Sequence, residues 1–461
     1  MKIFNLKPKV LLTLLLLVFI SFAPAQSLKR KGMLGVVFYP EIPAPLSDSL
    51  AIKNTNSVLV KEVIPGTTAA FIGLQAYDQI TQINDSPVNT NAELIQIASG
   101  LRTDDSIRVA VIRNKTVKIL SGKVIERPRE TIKDVDILYD EFPFQDGFIR
   151  CFLKTPKTKP SKGTIYFLPG IYCASLDKLP KDNPYYLLQE DFLNAGYQLF
   201  IVEKAGMGDS KSSIPCHEMG FNDEVQLFKE GYKKLFQYQN VQPKNVILFG
   251  HSLGGIIAPI IANEYNPKGI IIYGTVLMPW KDYILKAYSE QSLVFGKNKE
   301  KINEEMISLR PLANNLFEHP EKLNEITEDS SNVKLLEKIG YDSNSGKFAA
   351  GRTIRFHEEI NQRNMSDVWS NINCSVLSLY GGADIAALSD AGHKRIVRIV
   401  NKSHSGKATY KFIPKTNHEM QKVGIMKKFI QMMETPEYNS YAAKRFNHEM
   451  MKTIINWCDA L

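Results

Sequence analysis

Cysteine is scarce in this chain, and so are long apolar runs and blocks of one charge sign. Five cysteines occur in 461 residues, at 151, 173, 216, 374 and 458, a scatter that excludes a cysteine-based metal cluster. No run of lysine and arginine concentrates the formal charge of +9, which excludes a nucleic-acid footprint. Beyond residue 25 no apolar stretch is long enough to span a bilayer. With 44% hydrophobic and 23% charged residues the composition is that of a globular protein, so disordered, collagen-like and multi-span membrane classes are excluded. The length suits two or three domains of roughly 100–200 residues each.

What is present begins with an address. Lys2, Lys7 and Lys9 supply three of the nine net charges, and no acid occurs among the first 25 residues. Val10–Phe22 is apolar apart from Thr13 and Ser21, and Ala23-Pro24-Ala25 supplies small residues for cleavage before Gln26. Residues 1–25 therefore read as a secretory signal peptide. The alternative, an uncleaved anchor, needs roughly twenty apolar residues, and this run falls short. No cysteine follows it for lipid attachment. The mature protein is expected to be exported and soluble, periplasmic or secreted, with no stable membrane insertion. Five cysteines in such a compartment allow a disulfide and leave at least one unpaired.

Residues 26–126 read as short strands with one helix. The strands are Leu34–Phe38, Ser57–Val63, Gln79–Ile83, Ser106–Arg113 and Thr116–Leu120. Asn91–Ala98 carries Ala92, Leu94, Ile95 and Ala98 at helical spacing. Val63-Ile64-Pro65-Gly66-Thr67-Thr68-Ala69-Ala70, then Gly73-Leu74, Asp78-Gln79-Ile80 and Ile83-Asn84, resembles a PDZ domain. Tyr77-Asp78 stands where that family has Gly-Asp. After cleavage only Gln26–Gly32 would precede Met33-Leu34-Gly35-Val36, and a strand after Arg113 can fill the place of an opening strand, so the order resembles the permuted PDZ domains of bacterial periplasmic proteases. The resemblance implies that Met33-Leu34-Gly35-Val36 is a carboxylate-binding loop. Amides around Leu34, Gly35 and Val36 would hold a peptide C-terminus, with Lys29, Arg30 and Lys31 adding positive charge upstream. A packing appendage with no ligand is the alternative.

Residues 127–461 alternate apolar strands with helical segments, which implies an α/β fold with a mainly parallel sheet. The strands are Thr164–Leu168, Tyr197–Val202, Asn245–Phe249, Gly269–Tyr273, Ser375–Leu379 and Ala408–Ile413. Gly250-His251-Ser252-Leu253-Gly254 follows one of them and opens a helix, the context of a nucleophile elbow. This half thus resembles an α/β-hydrolase, whose remaining order is acid and then histidine, each after a late strand. Asp384, in Gly381-Gly382-Ala383-Asp384, and His418, in Thr416-Asn417-His418-Glu419, stand at those places. The expected roles are nucleophile for Ser252, base for His418 and orienting acid for Asp384.

Other residues compete less well. Asp390 and His393 would lie on the following helix, and His404 precedes the last strand. His251 adjoins the serine, where side chains diverge, so packing suits it; His217, His319, His357 and His448 read as surface or core residues, His217 on a loop near the site. The resemblance implies an oxyanion hole from the amides of Leu253 and Ile171, the latter in Pro169-Gly170-Ile171-Tyr172 where relatives carry His-Gly. Glu203–Ser210 resembles a glycine-containing loop that shapes the rim. Cys173 and Cys216 fall on rim loops of that fold, as a bridge or as two separate thiols. Gly274–Cys374 is a long insertion, placed where the family inserts a helical cap (about 277–372), with helical stretches at Lys299–Leu309 and Val333–Ile339. Trp280, Tyr283 and Tyr288 would line a pocket or pack the cap, and a terminal helix Tyr438–Trp457 would close the fold.

No cofactor or metal is implied. The expectation is an exported serine hydrolase acting on a small-molecule ester, or on peptides recruited by the PDZ domain. A PDZ binding protein with an inactive hydrolase half is the alternative of another class.

Overall fold

The computed structural model describes residues 28–461 apart from 51 and 53–55. The expected signal peptide, 1–25, lies outside the described residues. The chain divides into two compact units, one ending at Glu126 and the other running Arg127–Leu461.

The first unit is an antiparallel sheet, with β1 (Val36–Phe38), β2 (Val58–Val63), β3 (Gln79–Ile83), β5 (Ser106–Arg113) and β6 (Thr116–Lys123) side by side in that order. The short β4 (Ser86–Pro87) pairs with β3. Period-two burial fixes the faces: Ile107, Val109 and Val111 of β5 point into a core with Val58, Val60, Ile80 and Leu94. Asn114 and Lys115, both at positive φ, turn β5 into β6. The helix runs Asn91–Gly100, started by Thr90, whose hydroxyl accepts from the Glu93 amide at 3.2 Å. Only Leu94 of its expected apolar face is fully buried; Ile95 is 57% exposed.

The second unit carries an eight-stranded sheet in the order β14-β13-β12-β11-β9-β10-β8-β7. Its parallel part comprises β9 (Thr164–Leu168), β10 (Gln198–Val202), β11 (Val246–His251), β12 (Gly269–Tyr273), β13 (Ser375–Gly381) and β14 (Ala408–Ile413). Every residue of β9, β10, β11 and β12 is buried, as strands covered on both faces require. An antiparallel hairpin, β7 (Val135–Phe144) and β8 (Gly147–Pro156), opens the unit and was not anticipated. The insertion folds into helices that include Trp280–Val294, Lys299–Glu318 and Ile354–Asn361 and shares one apolar core with the sheet.

Two expectations are corrected. The terminal segment is two helices, Tyr438–Ala443 and His448–Ala460. The break forms because the Lys422 amide donates to Arg445 O (2.7 Å) and the Asn447 amide to Met420 O (2.8 Å). Asp390 sits just ahead of the helix Ala391–Ser403 as its N-cap, bonded to Tyr410 and Lys394, rather than inside it. Among the described residues no helix is long and apolar enough to cross a membrane.

Candidate active site

Three loops at the C-terminal ends of β11, β13 and β14 carry Ser252, Asp384 and His418. Ser252 has φ +54°, a left-handed conformation that a sharp strand-to-helix turn imposes. Its amide donates to Tyr273 O at 2.9 Å. The helix after it runs Gly254–Tyr265, and a Cβ on Gly254 would lie 2.0 Å from Leu168 O, so the elbow closes only with glycine there.

Asp384 is fully buried, and its carboxylate accepts from the Ala386 and Ala387 amides at 2.9 and 2.8 Å. His418 Nδ1 lies 2.9 and 3.0 Å from the two carboxylate oxygens. Burial alone would favour the neutral acid, but the His418 charge and the amide donors hold the Asp384 pKa below the usual carboxylate value. Burial likewise opposes charge on His418, and the Asp384 carboxylate outweighs it, so the imidazole pKa is raised. Gly274 stands against this pair with φ +66°; a Cβ there would lie 2.9 Å from both Asp384 Oδ2 and His418 Nδ1.

The histidine loop is held by three consecutive carbonyls. Thr416 O accepts from the Ala383 amide (2.9 Å), Asn417 O from the Tyr273 hydroxyl (2.5 Å) and His418 O from His251 Nε2 (2.9 Å). The acid loop, the neighbouring strand and the elbow therefore each fix one residue of it. Asn447 adds a bond to Thr416 Oγ1 at 2.7 Å, which ties the break between the terminal helices to the site.

A cleft of about 220 Å³ opens at Ser252, walled by Ile171, Tyr172, Leu176, Tyr185, His418 and Glu419. Among the described residues neither the Leu253 nor the Ile171 amide is taken up by a hydrogen bond in this region. Lys204 Nζ donates to Gly170 O (2.7 Å) and Ile171 O (3.2 Å), and pairs with Glu224 at 2.9 Å. Burial pulls the Lys204 pKa down to about 8. It also pushes the Glu203 carboxyl up to about 7, although Ser175 and two amides donate to it. The loop expected only to shape the rim thus fixes the Gly170–Ile171 strip. A disulfide joins Cys173 to Cys216, and Arg352 of the insertion lies against both sulfurs and Glu224. Cys151, Cys374 and Cys458 are buried free thiols.

Of the eight histidines, His251 and His418 line the cleft. His217 bonds Gly351 O, His357 takes the Trp280 indole N–H, His393 pairs with Ser378 and His448 with Asp191. His319 lies by Glu321, and His404 ends a helix. Trp280, Tyr283 and Tyr288 are absent from the cleft wall; Tyr283 donates to Ala386 O at 3.0 Å and so braces the acid loop. Tyr185, Lys204 and the structural part of His251 escaped sequence reading, because each acts on backbone atoms of a distant loop. In the first unit, the Ile64, Thr68 and Ala69 amides donate to Gly35 O (2.9 Å), Met33 O (3.1 Å) and Leu34 O (2.8 Å), so the carbonyls of the Leu34–Val36 approach are engaged. Among the described residues no group of three or more His, Cys, Asp or Glu side chains is placed to hold a metal.

The pattern of the serine aminopeptidase S33 family matches residues 183–422, just over half of the chain. The chain belongs to that family. It is a serine hydrolase of the α/β-hydrolase fold, with an N-terminal PDZ domain matched over residues 32–124. Curated relatives resemble the PDZ part. A probable periplasmic serine endoprotease, DegP-like, of Pseudomonas putida (strain GB-1) is 32% identical over 84 residues, 18% of this chain and 17% of the relative. A protein of the same description from Marinomonas sp. is 31% identical over 102 residues, 22% and 21% of the two chains. This S33 member thus spans about a fifth of the length of the curated relatives it matches. Among solved structures, a thermostable carboxyl esterase from Bacillus coagulans has TM-score 0.42 at 14% identity, covering 70% of this chain and 98% of that one. The ferulic-acid-bound Est1E of Butyrivibrio proteoclasticus has TM-score 0.40 at 12% identity, covering 68% and 99%.

Proposed function

We propose that this S33 member is an exported hydrolase that cleaves carboxylic esters through an acyl-enzyme, with Ser252 as nucleophile, His418 as base and Asp384 as orienting acid. The observation that carries this reading is the buried Asp384 carboxylate on Nδ1 of His418, which lines one cleft together with Ser252. With Nδ1–H held by the carboxylate, Nε2 is the nitrogen that takes the Ser252 proton as Oγ attacks the carbonyl carbon. The carbonyl electrons move onto oxygen, where the Leu253 and Ile171 amides would donate. The adduct collapses, the bond to the leaving alcohol breaks, and His418 returns its proton to that oxygen. Water repeats the sequence on the acyl-enzyme, releasing the acid and restoring Ser252. The leader at residues 1–25, the Cys173–Cys216 disulfide and the periplasmic description of the relatives support export.

A second reading, cleavage of an amide beside a free amine, draws on the aminopeptidase description of the family and on Glu419. That carboxylate lines the cleft next to His418 and, among the described residues, forms no ion pair with a cation of the chain. A fluorophosphonate probe is expected to label Ser252, and Ser252→Ala to lower turnover on the order of 10⁶-fold. Parallel assays of esters against aminoacyl and peptide anilides separate the two readings by which series turns over. Failure of the probe to label the chain would leave the inactive-hydrolase alternative.

A further inference from the structure

His251 precedes the nucleophile, and its two ring nitrogens are engaged on opposite sides of the site. Nε2 lies 2.9 Å from His418 O, and Nδ1 lies 2.6 Å from the Tyr185 hydroxyl. The Tyr185 oxygen is 3.2 Å from the Gly170 amide. A backbone carbonyl can only accept, so Nε2 carries a proton. Burial, and after it the charge of His418, pushes the His251 pKa down to about 3, so the ring is neutral near pH 7. A neutral ring protonated on Nε2 accepts at Nδ1; Tyr185 O–H donates there, and its lone pair receives the Gly170 N–H. Every contact then has one donor and one acceptor, running in a single direction from Gly170 to His418.

We propose that Tyr185 and His251 are positioning residues that couple the loop of the oxyanion donor Ile171 to the loop of the base His418, a coupling that rests on the serine-hydrolase reading above and adds two residues to it. One end of this chain of bonds is the residue before Ile171, and the other is the backbone of the base. The nucleophile adjoins this chain of bonds: Ser252 follows His251, and a Cβ on Gly170 would be 3.5 Å from Ser252 Cβ. The rings are also packed, Tyr185 edge-on to His251 with centroids 5.4 Å apart and His251 4.7 Å from His418. Acyl transfer requires the base and the oxyanion donors at a fixed spacing while the serine oxygen passes from alcohol to ester. A misplacement of about 1 Å lowers such rates about 10²-fold. The bonds through Tyr185 and His251 set that spacing directly.

The test uses the full chain with an activated ester, counting active sites by fluorophosphonate labelling and checking each variant's melting midpoint. Tyr185→Phe and His251→Leu are each expected to lower kcat about 10–100-fold with KM within about threefold, because the bonds they remove hold backbone atoms of the two loops rather than the ester. The double variant should fall no further than the weaker single, since either change severs the same chain of bonds. His251→Gln keeps a side-chain N–H for His418 O and an oxygen for Tyr185, and should recover about tenfold over His251→Leu. Losses that multiply in the double variant, or wild-type kcat in Tyr185→Phe, would overturn the coupling. So would a folded His251→Gln no faster than His251→Leu. If His251→Leu does not fold, Tyr185→Phe, which removes one oxygen, carries the test alone. Ester turnover that survives Ser252→Ala would instead sink the serine-hydrolase reading, whatever these variants do.

Discussion

One carbon atom at position 274 is enough to probe the geometry of Asp384 and His418. Gly274→Ala would place a Cβ 2.9 Å from Asp384 Oδ2 and from His418 Nδ1, at a φ that side chains avoid. Neither partner is a flexible chain end, since Asp384 is held by two amides and His418 by its carbonyl. The expected outcome is a kcat loss of about 10²-fold, the usual cost of about 1 Å of displacement, with little change in KM. Unchanged kcat in the folded variant would remove Asp384 and His418 from the reaction. A pH profile gives an independent check. The carboxylate beside His418 raises the imidazole pKa against its burial, so kcat/KM should fall with decreasing pH through a midpoint above the ordinary histidine value of about 6.5. Asp384→Asn removes the raising charge and leaves the burial, so the midpoint should move down and kcat should drop about 10⁴-fold, as for the orienting acid of serine proteases. A midpoint that stays in place would mean that another group titrates.

At the scale of elements, the rim is cross-linked where two loops would otherwise be free to part. Cys173 lies after β9 and Cys216 after β10, with Cα atoms 5.8 Å apart. Their separation of 43 residues corresponds to about 4 kcal/mol of chain entropy removed from the unfolded state. Replacing both by serine should lower the unfolding free energy by about 2–4 kcal/mol, read from the urea midpoint and slope together, since the freed unfolded chain exposes more surface and steepens the slope. An unshifted midpoint would show that Arg352 and Glu224 hold the rim without the bridge. How far each element was legible follows the same logic of local against distant cause. The strands β9, β12 and β14 could be read to the residue as short apolar runs between turn signals. The hairpin β7–β8 could not, because Asp136, Asp140 and Glu141 interrupt its apolar pattern. Residues 438–457 contain no proline or glycine, so nothing local announces the break that Met420 and Lys422 impose. The elbow glycines and the strand-end positions of Asp384 and His418 are local features and were visible. Tyr185, Lys204 and His251 act on carbonyls or amides 15, 34 and 167 residues away, and no sequence pattern records those bonds.

For the whole molecule the open question is what a PDZ domain adds to a hydrolase that has its own cleft. Among the described residues β1 pairs with β2 alone within its sheet, which leaves the other edge of Val36–Phe38 for an added strand. The carbonyls of Met33, Leu34 and Gly35 are occupied by the amides of Thr68, Ala69 and Ile64, and the Leu34 and Gly35 amides take no part in that set. Leu34 and Leu94 are buried in one cluster, with Val36, Ile97 and Ala98 half-buried against it, an apolar floor suited to a terminal side chain. Lys29 bonds Asp105 at 3.1 Å, so anchoring falls on the backbone amides rather than on that cation. The full chain carrying Ser252→Ala is therefore expected to bind peptides that end in an apolar residue. Amidation removes the charge and one acceptor from a contact worth roughly 1.5–3 kcal/mol, so affinity should fall about tenfold or more. Fluorescence anisotropy on matched acid and amide peptides reads the difference. Gly35→Ala gives the structural control: at φ +78° its Cβ would lie 2.2 Å from the Thr67 side chain, so peptide binding should be lost while ester turnover by the otherwise wild-type chain persists. Equal affinity for acid and amide would make the domain a packing appendage, and recruitment of peptide substrates would lose its support.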